Sequence, residues 1–456
     1  MTPMSPFSSP SRHAMNRRRL MQAGAMAGAG LVLPWQLAGH AAASQADQSG
    51  TFRAMSWEGE AEMRKWLLHM NSFFDANYPN MELQIDYGIS WEEYWTKLQT
   101  TIAGGAPLDM CWMHDSRCPS YAQLGMLMPL DDFIAESAPE GWPDAFYQSQ
   151  VDAFKFNGVQ YALPYDWASG GYYINLTVLD RAGVDVPTAE TTFEELMEMG
   201  IKIKETSDNP DEQWGFVLPT QPHSTEWIVK CFGGEQVTAD PLTSHYNSPE
   251  TIAAYQFLYD ALHVHQVMVY PEALETMGMA GPVAFASGRT GINYSLNDEA
   301  FVFGEVVGDD VEWTMAPTGS GPGGRFQFVG GSGFSIPVNA EFPEISYECL
   351  KFTATDPANA PVTAEMGSMF VSRMEFWEAA LPDPEQADPE VYKEVFYTLG
   401  AADGVAPLYF PGYQQWASTI YKKNMDQLWA NATSDVAGIL QQVHEETQAF
   451  LDGIEV

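Results

Sequence analysis

The chain has 456 residues, 45% of them hydrophobic and 13% aromatic, enough apolar material for two or three packed domains, which excludes a disordered chain. Its 60 acidic and 21 basic residues give a net charge of −39, and repulsion excludes polyanionic partners such as nucleic acid or an anionic membrane face. The acid is spread along the chain, as on a solvated acidic surface; an acidic site for a cationic ligand is the alternative reading.

The N-terminus reads as a targeting segment. Asn16-Arg17-Arg18-Arg19-Leu20-Met21 is a twin-arginine pattern. A small, apolar stretch follows from Ala23 to Leu33, too short to span a bilayer. Ala41-Ala42-Ala43 fits the small-residue cleavage rule, so residues 1–43 are expected to be a signal cut after Ala43, with translation starting at Met1 or Met15. No Cys stands near the cut to carry a lipid anchor. The expected product is a soluble protein exported already folded to a periplasm.

From Thr51 to Trp57 an opening strand is expected, followed by a helix over about 61–77 that Tyr78-Pro79 stops. Met81–Tyr87 alternates as a second strand. Ser90 and Glu93 have capping-box spacing, and Trp91, Tyr94, Trp95, Leu98 and Ile102 form one apolar helical face that ends at Gly104-Gly105. Met110–Met113 is a short apolar run, suited to a strand buried on both sides. His114, Asp115, Ser116 and Arg117 follow it, and ligands of open parallel sheets bind outside such strand ends. Further strands are expected over 159–164, 171–174, 214–218, 291–294, 311–316 and 326–337. Helices are expected after Thr192-Phe-Glu-Glu195 and after Ser248-Pro249, with a mainly helical remainder from Glu344. Strands alternating with helices predict an α/β fold with parallel sheets. Cys111 and Cys118 flank the polar loop and either form a disulfide or stay buried as free thiols. No CxxC or His/Cys cluster has metal-site spacing, so no cofactor or metal is expected.

The segment 90–133, with YALPYDWASGGYYIN (161–175), FASGRTGINYS (285–295) and FVGGSGFSIP (328–337), closely resembles the extracellular solute-binding proteins of carbohydrate ABC importers, the maltose-binding-like group. Each motif is loose alone; their order and spacing are specific and extend over 51–456. The resemblance implies a type II periplasmic-binding-protein fold of two α/β lobes with a ligand cleft between them. The first lobe would comprise 51–166 plus 286–332 and the second 167–285 plus 333–456. The lobes would close on the ligand by hinge bending.

Sugars offer hydroxyls at their edges and weakly apolar faces, so a sugar site pairs planar polar groups with aromatic platforms. In the resembled family, the loop after the third strand binds sugar hydroxyls through an Asp and an Arg, which Asp115 and Arg117 match with one extra residue between them. Trp57 and Glu58 follow the first strand at a cleft-facing position. Tyr165 and Asp166 lie at the first crossover, Trp227 is expected to line the second lobe, and Tyr409 and Trp416 match a late aromatic platform. Ser332, between Gly331 and Gly333, lies at a later crossover, where the glycines serve a hinge, close packing or backbone contact with ligand. Many relatives place a stacking Trp where this chain has Leu296, in Asn293-Tyr294-Ser295-Leu296. Either Tyr294 takes that role beside Asn293, or the subsite is narrower.

The expected function is capture of a neutral sugar, a disaccharide or small oligosaccharide, by a monomer that delivers it to an ABC permease. Two other readings stand beside it. One is a binding protein for another solute: a polyol, glycerol phosphodiester, polyamine or betaine. The other is a secreted glycoside hydrolase with Asp115 and Glu58 or Asp166 as acid and base, which would need the two carboxyls about 5–9.5 Å apart.

Overall fold

A computed structural model describes residues 47–279, 282–307, 311–359, 370–382, 384 and 387–454. The expected signal, residues 1–43, lies outside them.

Twelve strands build two sheets: β1 (Ser49–Met55), β2 (Asn80–Asp86), β3 (Met110–His114), β4 (Leu163–Pro164), β5 (Asp166–Asn175), β6 (Trp214–Val217), β7 (Thr290–Leu296), β8 (Trp313–Ala316), β9 (Gln327–Gly330), β10 (Ser332–Ser335), β11 (Phe370–Val371) and β12 (Gly404–Val405). The first sheet has the order β2-β1-β3-β10-β4. Its β1, β2 and β3 are parallel because helices Glu60–Asn77 and Trp91–Ala103 carry the chain back between them. The second sheet has the order β12-β9-β5-β7-β6, with β8 and β11 also on β5. Every residue of β5 is buried, as expected of a central strand covered on both faces. The sheets are mixed rather than purely parallel. β10 runs antiparallel to β3, and β7, β8 and β9 run antiparallel to β5. Of these, β10 enters the first sheet directly from β9 of the second.

Each sheet carries its own core. Phe52, Met63, Trp66, Trp112, Phe334 and Leu350 pack in the first; Tyr172, Leu196, Phe216, Trp227, Tyr255 and Trp416 pack in the second. A further cluster around Trp167, Tyr173, Phe303 and Phe396 extends the second sheet's side.

Strand pairing corrects the expected lobe membership. Residues 290–330 supply β7, β8 and β9 to the second sheet, so this stretch leaves the first lobe. Residues 333–335 and the helix Pro343–Thr355, with Ile345, Tyr347 and Leu350 in the first core, join the first lobe rather than the second, and Ser332 stays in the first as expected. β11 then returns the chain to β5. The hydrogen bonds that decide membership join residues more than a hundred positions apart, beyond the reach of segment order.

Two crossovers lie side by side. At β4–β5 the chain passes through Tyr165, and at β9–β10 it passes through Gly331. Tyr165 N–H donates to Ser332 O (3.0 Å), and Ser332 N–H donates to the Asp166 carboxylate. A Cβ on Gly331 would lie 2.7 Å from Asp166 O, so only glycine allows this approach.

All four cysteines are free and buried. Cys111 Sγ faces Ser335 O and Cys118 Sγ faces Phe154 O, so the free-thiol alternative holds over the disulfide. Burial raises both thiols well above the ordinary range and leaves them protonated.

Candidate functional site

A cavity of about 270 Å³ opens where the two sheets meet. The first lobe contributes Trp91, His114, Ser116 and Arg117 from the end of β3 and the start of the helix Trp91–Ala103. Ala168, His223, Leu296, Phe328, Tyr409 and Gln414 face them from the second, and Gly330-Gly331 forms the wall at the crossover.

An aromatic nest supports the first-lobe side. Trp57 packs against Trp91, Tyr94 and Trp95 at centroid distances of 5.2, 5.1 and 5.6 Å. Tyr94 anchors the nest by donating to Trp112 O (2.7 Å). Trp91, at the outer end, is 39% exposed and lines the cavity. The Arg117 guanidinium lies 5.0 Å over the Trp95 ring, a cation–π contact that fixes its direction. Burial lowers the pKa of Arg117, opposed by Tyr121 and Glu92, yet an arginine remains charged.

The carboxylates lie behind the wall. Asp115 is fully buried; Oδ2 accepts from Gly331 N–H (3.1 Å) and Oδ1 lies 2.9 Å from His114 Nδ1. Burial disfavours the His114 imidazolium, but the charge and hydrogen bond of Asp115, with Asp166 further off, outweigh it and raise the histidine above its ordinary value. Asp166 is pushed up to about 7, first by burial; the Ser332 N–H and His114 pull it down, and Glu58 and Asp115 push it up. Burial lowers His223 to about 4, helped by His114 across the cavity and opposed by Asp115. At neutral pH the wall thus carries a cationic Arg117 and a neutral His223, with His114 held beside Asp115.

The expected site residues divide into several groups. Arg117 and Tyr409 line the cavity. Asp115, Asp166, Tyr165 and Ser332 form the buried layer behind it: they hold the crossovers and position His114 and Gly331. Trp57 supports Trp91, and Glu58 stands near enough to Asp166 to affect its titration. Asn293 and Tyr294 border a separate hollow of about 230 Å³ with Leu218 and Leu274. Tyr294 stacks on Trp227 at 5.0 Å and so does not replace the stacking Trp; Leu296 itself occupies the cavity wall. Trp227 and Trp416 are corrected to core residues. They are 0% and 1% exposed, and Trp416 Nε1 donates to Thr447 inside the second core. Neither indole has a face left for a ligand. Trp91, His223, Phe328 and Gln414 also line the cavity without having been site candidates, and His114, which the sequence set at the strand end beside Asp115, joins them.

Asp115 and Asp166 both accept backbone N–H groups and lie behind the residues that line the cavity.

Comparison with known proteins follows the same geometry. Residues 71–390 match the sequence profile described as bacterial extracellular solute-binding protein. The chain is 25% identical over 219 residues to the arabinooligosaccharide-binding protein of Halalkalibacterium halodurans, covering 47% of this chain and 42% of that relative. Its fold matches the ABC substrate-binding protein Lmo0181 from Listeria monocytogenes, in complex with cycloalternan, with a TM-score of 0.74 at 19% identity, over 89% of this chain and all of that one. UgpB from Mycobacterium tuberculosis, in complex with glycerophosphocholine, matches with a TM-score of 0.71 at 17% identity, over 89% of this chain and 99% of that one.

Proposed function

The chain belongs to the bacterial extracellular solute-binding proteins, and from that premise we propose that it captures a sugar in the cleft and delivers it to an ABC permease. The observation that carries this reading is the cavity between the lobes, where two aromatic side chains, Trp91 and Tyr409, stand beside Arg117, Ser116 and Gln414. Rings cover the weakly apolar face of a sugar, and the polar groups bond its rim. Its volume of about 270 Å³ is at the small end for ligand pockets, about 300–1,000 Å³, which supports a mono- or disaccharide over a long oligomer. The arabinooligosaccharide and cycloalternan named for two similar proteins support the sugar class. In this reading the protein leaves the cytoplasm by the twin-arginine route, is cut after Ala43 and works as a periplasmic monomer.

A thermal-shift screen against mono-, di- and trisaccharides tests it. A ligand at 100 times its dissociation constant should stabilise the protein by about 2.7 kcal/mol. Trp91→Ala and Tyr409→Ala should each weaken binding about tenfold or more while the protein stays folded. A sugar that shifts the wild type and both variants equally, at the same affinity, would remove this cavity from consideration.

A further inference from the structure

We propose that the ligand of this cleft carries a single anionic group, seated on Arg117 between His114 and His223. The inference rests on the sugar-binding reading and narrows it to sugars bearing a carboxylate or a comparable monoanion, in place of the neutral sugar expected from sequence.

The first ground is what the cavity wall lacks. The chain holds 60 acidic and 21 basic residues, and other hollows on it are acidic. The one at Lys230 includes Glu235 and Glu250, the one at Leu218 includes Glu275, and the one at Val184 includes Asp185 and Glu190. Among the described residues no carboxylate lines the cleft cavity; its ionisable wall groups are Arg117, His114, His223 and Tyr409.

The second ground is the state of Arg117. Arg53, Arg64, Arg289, Arg325 and Arg373 each pair with a carboxylate. Arg117 makes no such pair among the described residues, and its buried Nε has no hydrogen-bond partner. Asp115 lies close by in sequence but turns to His114 and the Gly331 N–H. Holding a desolvated cation without a counter-charge is unfavourable. A ligand carboxylate or phosphodiester supplies the missing partner and matches the fork of a guanidinium.

The third ground is the balance around it. His114 faces Asp115 at 2.9 Å, and Glu92 acts on Arg117 from further off without pairing with it. The single guanidinium fork of Arg117 matches one carboxylate or phosphodiester, which sets the complement as a monoanion. From the second lobe, His223 stands in the first turn of the helix Pro222–Cys231, so that helix brings its N-terminal end to the same cavity.

Calorimetry with the purified protein decides it, using three probes: a uronate-containing disaccharide, the matched neutral disaccharide and glycerophosphocholine. The uronate should bind at least about tenfold more tightly than its neutral counterpart, since hydrogen bonds between charged partners are the stronger kind. Arg117→Gln should erase that difference, and Arg117→Lys should keep part of it. Equal or tighter binding of the neutral sugar overturns the inference and leaves the sugar-binding reading standing. Binding of glycerophosphocholine alone keeps the anion site and overturns the sugar reading. Binding of none of the three overturns both.

Discussion

Asp166 couples the hinge to pH. Its carboxylate accepts the Ser332 N–H at the point where the two crossovers touch, and burial holds it up at about 7. In the unfolded chain the same group releases its proton near pH 4. Between about pH 4 and about pH 7 the folded protein therefore keeps a proton that the unfolded chain has lost. Stability from this group falls as pH rises across that window and stays at its lower level above it. Asp166→Asn keeps an acceptor for Ser332 and cannot ionise. Relative to wild type, the variant should gain on the order of 2–4 kcal/mol between pH 4 and pH 8, read from denaturant melts at both pH values. Parallel pH dependence of the two proteins would refute the assignment. Sequence placed Asp166 among the ligand-binding candidates, and in the structure its carboxylate accepts a backbone N–H. Contact with ligand and support of the ligand's wall require the same residue type at the same turn, and only the partner atom, a backbone N–H, separates them. The same holds for Asp115.

At the level of elements, local signals carried most of the reading. The helix Trp91–Ala103 begins where Ser90 and Glu93 place it, and Phe193–Glu205 opens with a complete capping box between Thr192 and Glu195. β3 covers the short apolar run and adds His114. What local pattern could not tell was which aromatic faces a cleft and which a core. Trp416 and Trp91 both stand at helix positions among other aromatics. The first is enclosed by Tyr246, Phe410, Tyr413 and Tyr421, while the second ends its cluster at the surface. The glycines at the β9–β10 junction had three readings, a hinge, close packing and backbone contact with ligand. Close packing is what the structure shows: Gly331 lies against Asp166, at a place that is also part of the cavity wall. Gly331→Ala would set a methyl 2.7 Å from Asp166 O and 2.8 Å from its carboxylate, forcing the crossovers apart. Overpacking of this kind costs about 1–3 kcal/mol, and because the strain falls on the hinge, ligand affinity should drop along with the melting temperature. A variant as stable as wild type with unchanged affinity would mean that the crossovers separate freely.

For the molecule as a whole, the order of motifs along the chain specified two lobes, but their membership needed pairings such as Ser332 with His114 that no local window contains. The charge was legible from composition, and it makes the ligand's sign testable without any mutation. A protein of charge −39 surrounds an Arg117 that pairs with no carboxylate among the described residues, so an anionic sugar must cross a repulsive outer field to reach an attractive inner site. Salt acts on these two unequally. The screening length falls from about 30 Å at 0.01 M to about 3 Å at 1 M, while a partly buried contact is screened far less than the exposed surface. The association rate of an anionic sugar should therefore rise several-fold between about 0.01 and 0.5 M salt, the reverse of ordinary steering between opposite charges. A neutral sugar should associate at a rate that changes by less than about twofold over the same range, because the net charge has nothing to act on. Stopped-flow fluorescence can read both, since Trp91 lines the cavity and Trp57 packs behind it. A rate that falls with salt would mean that the ligand is a cation drawn in by the acidic surface, and Arg117 would then face away from the charge it meets.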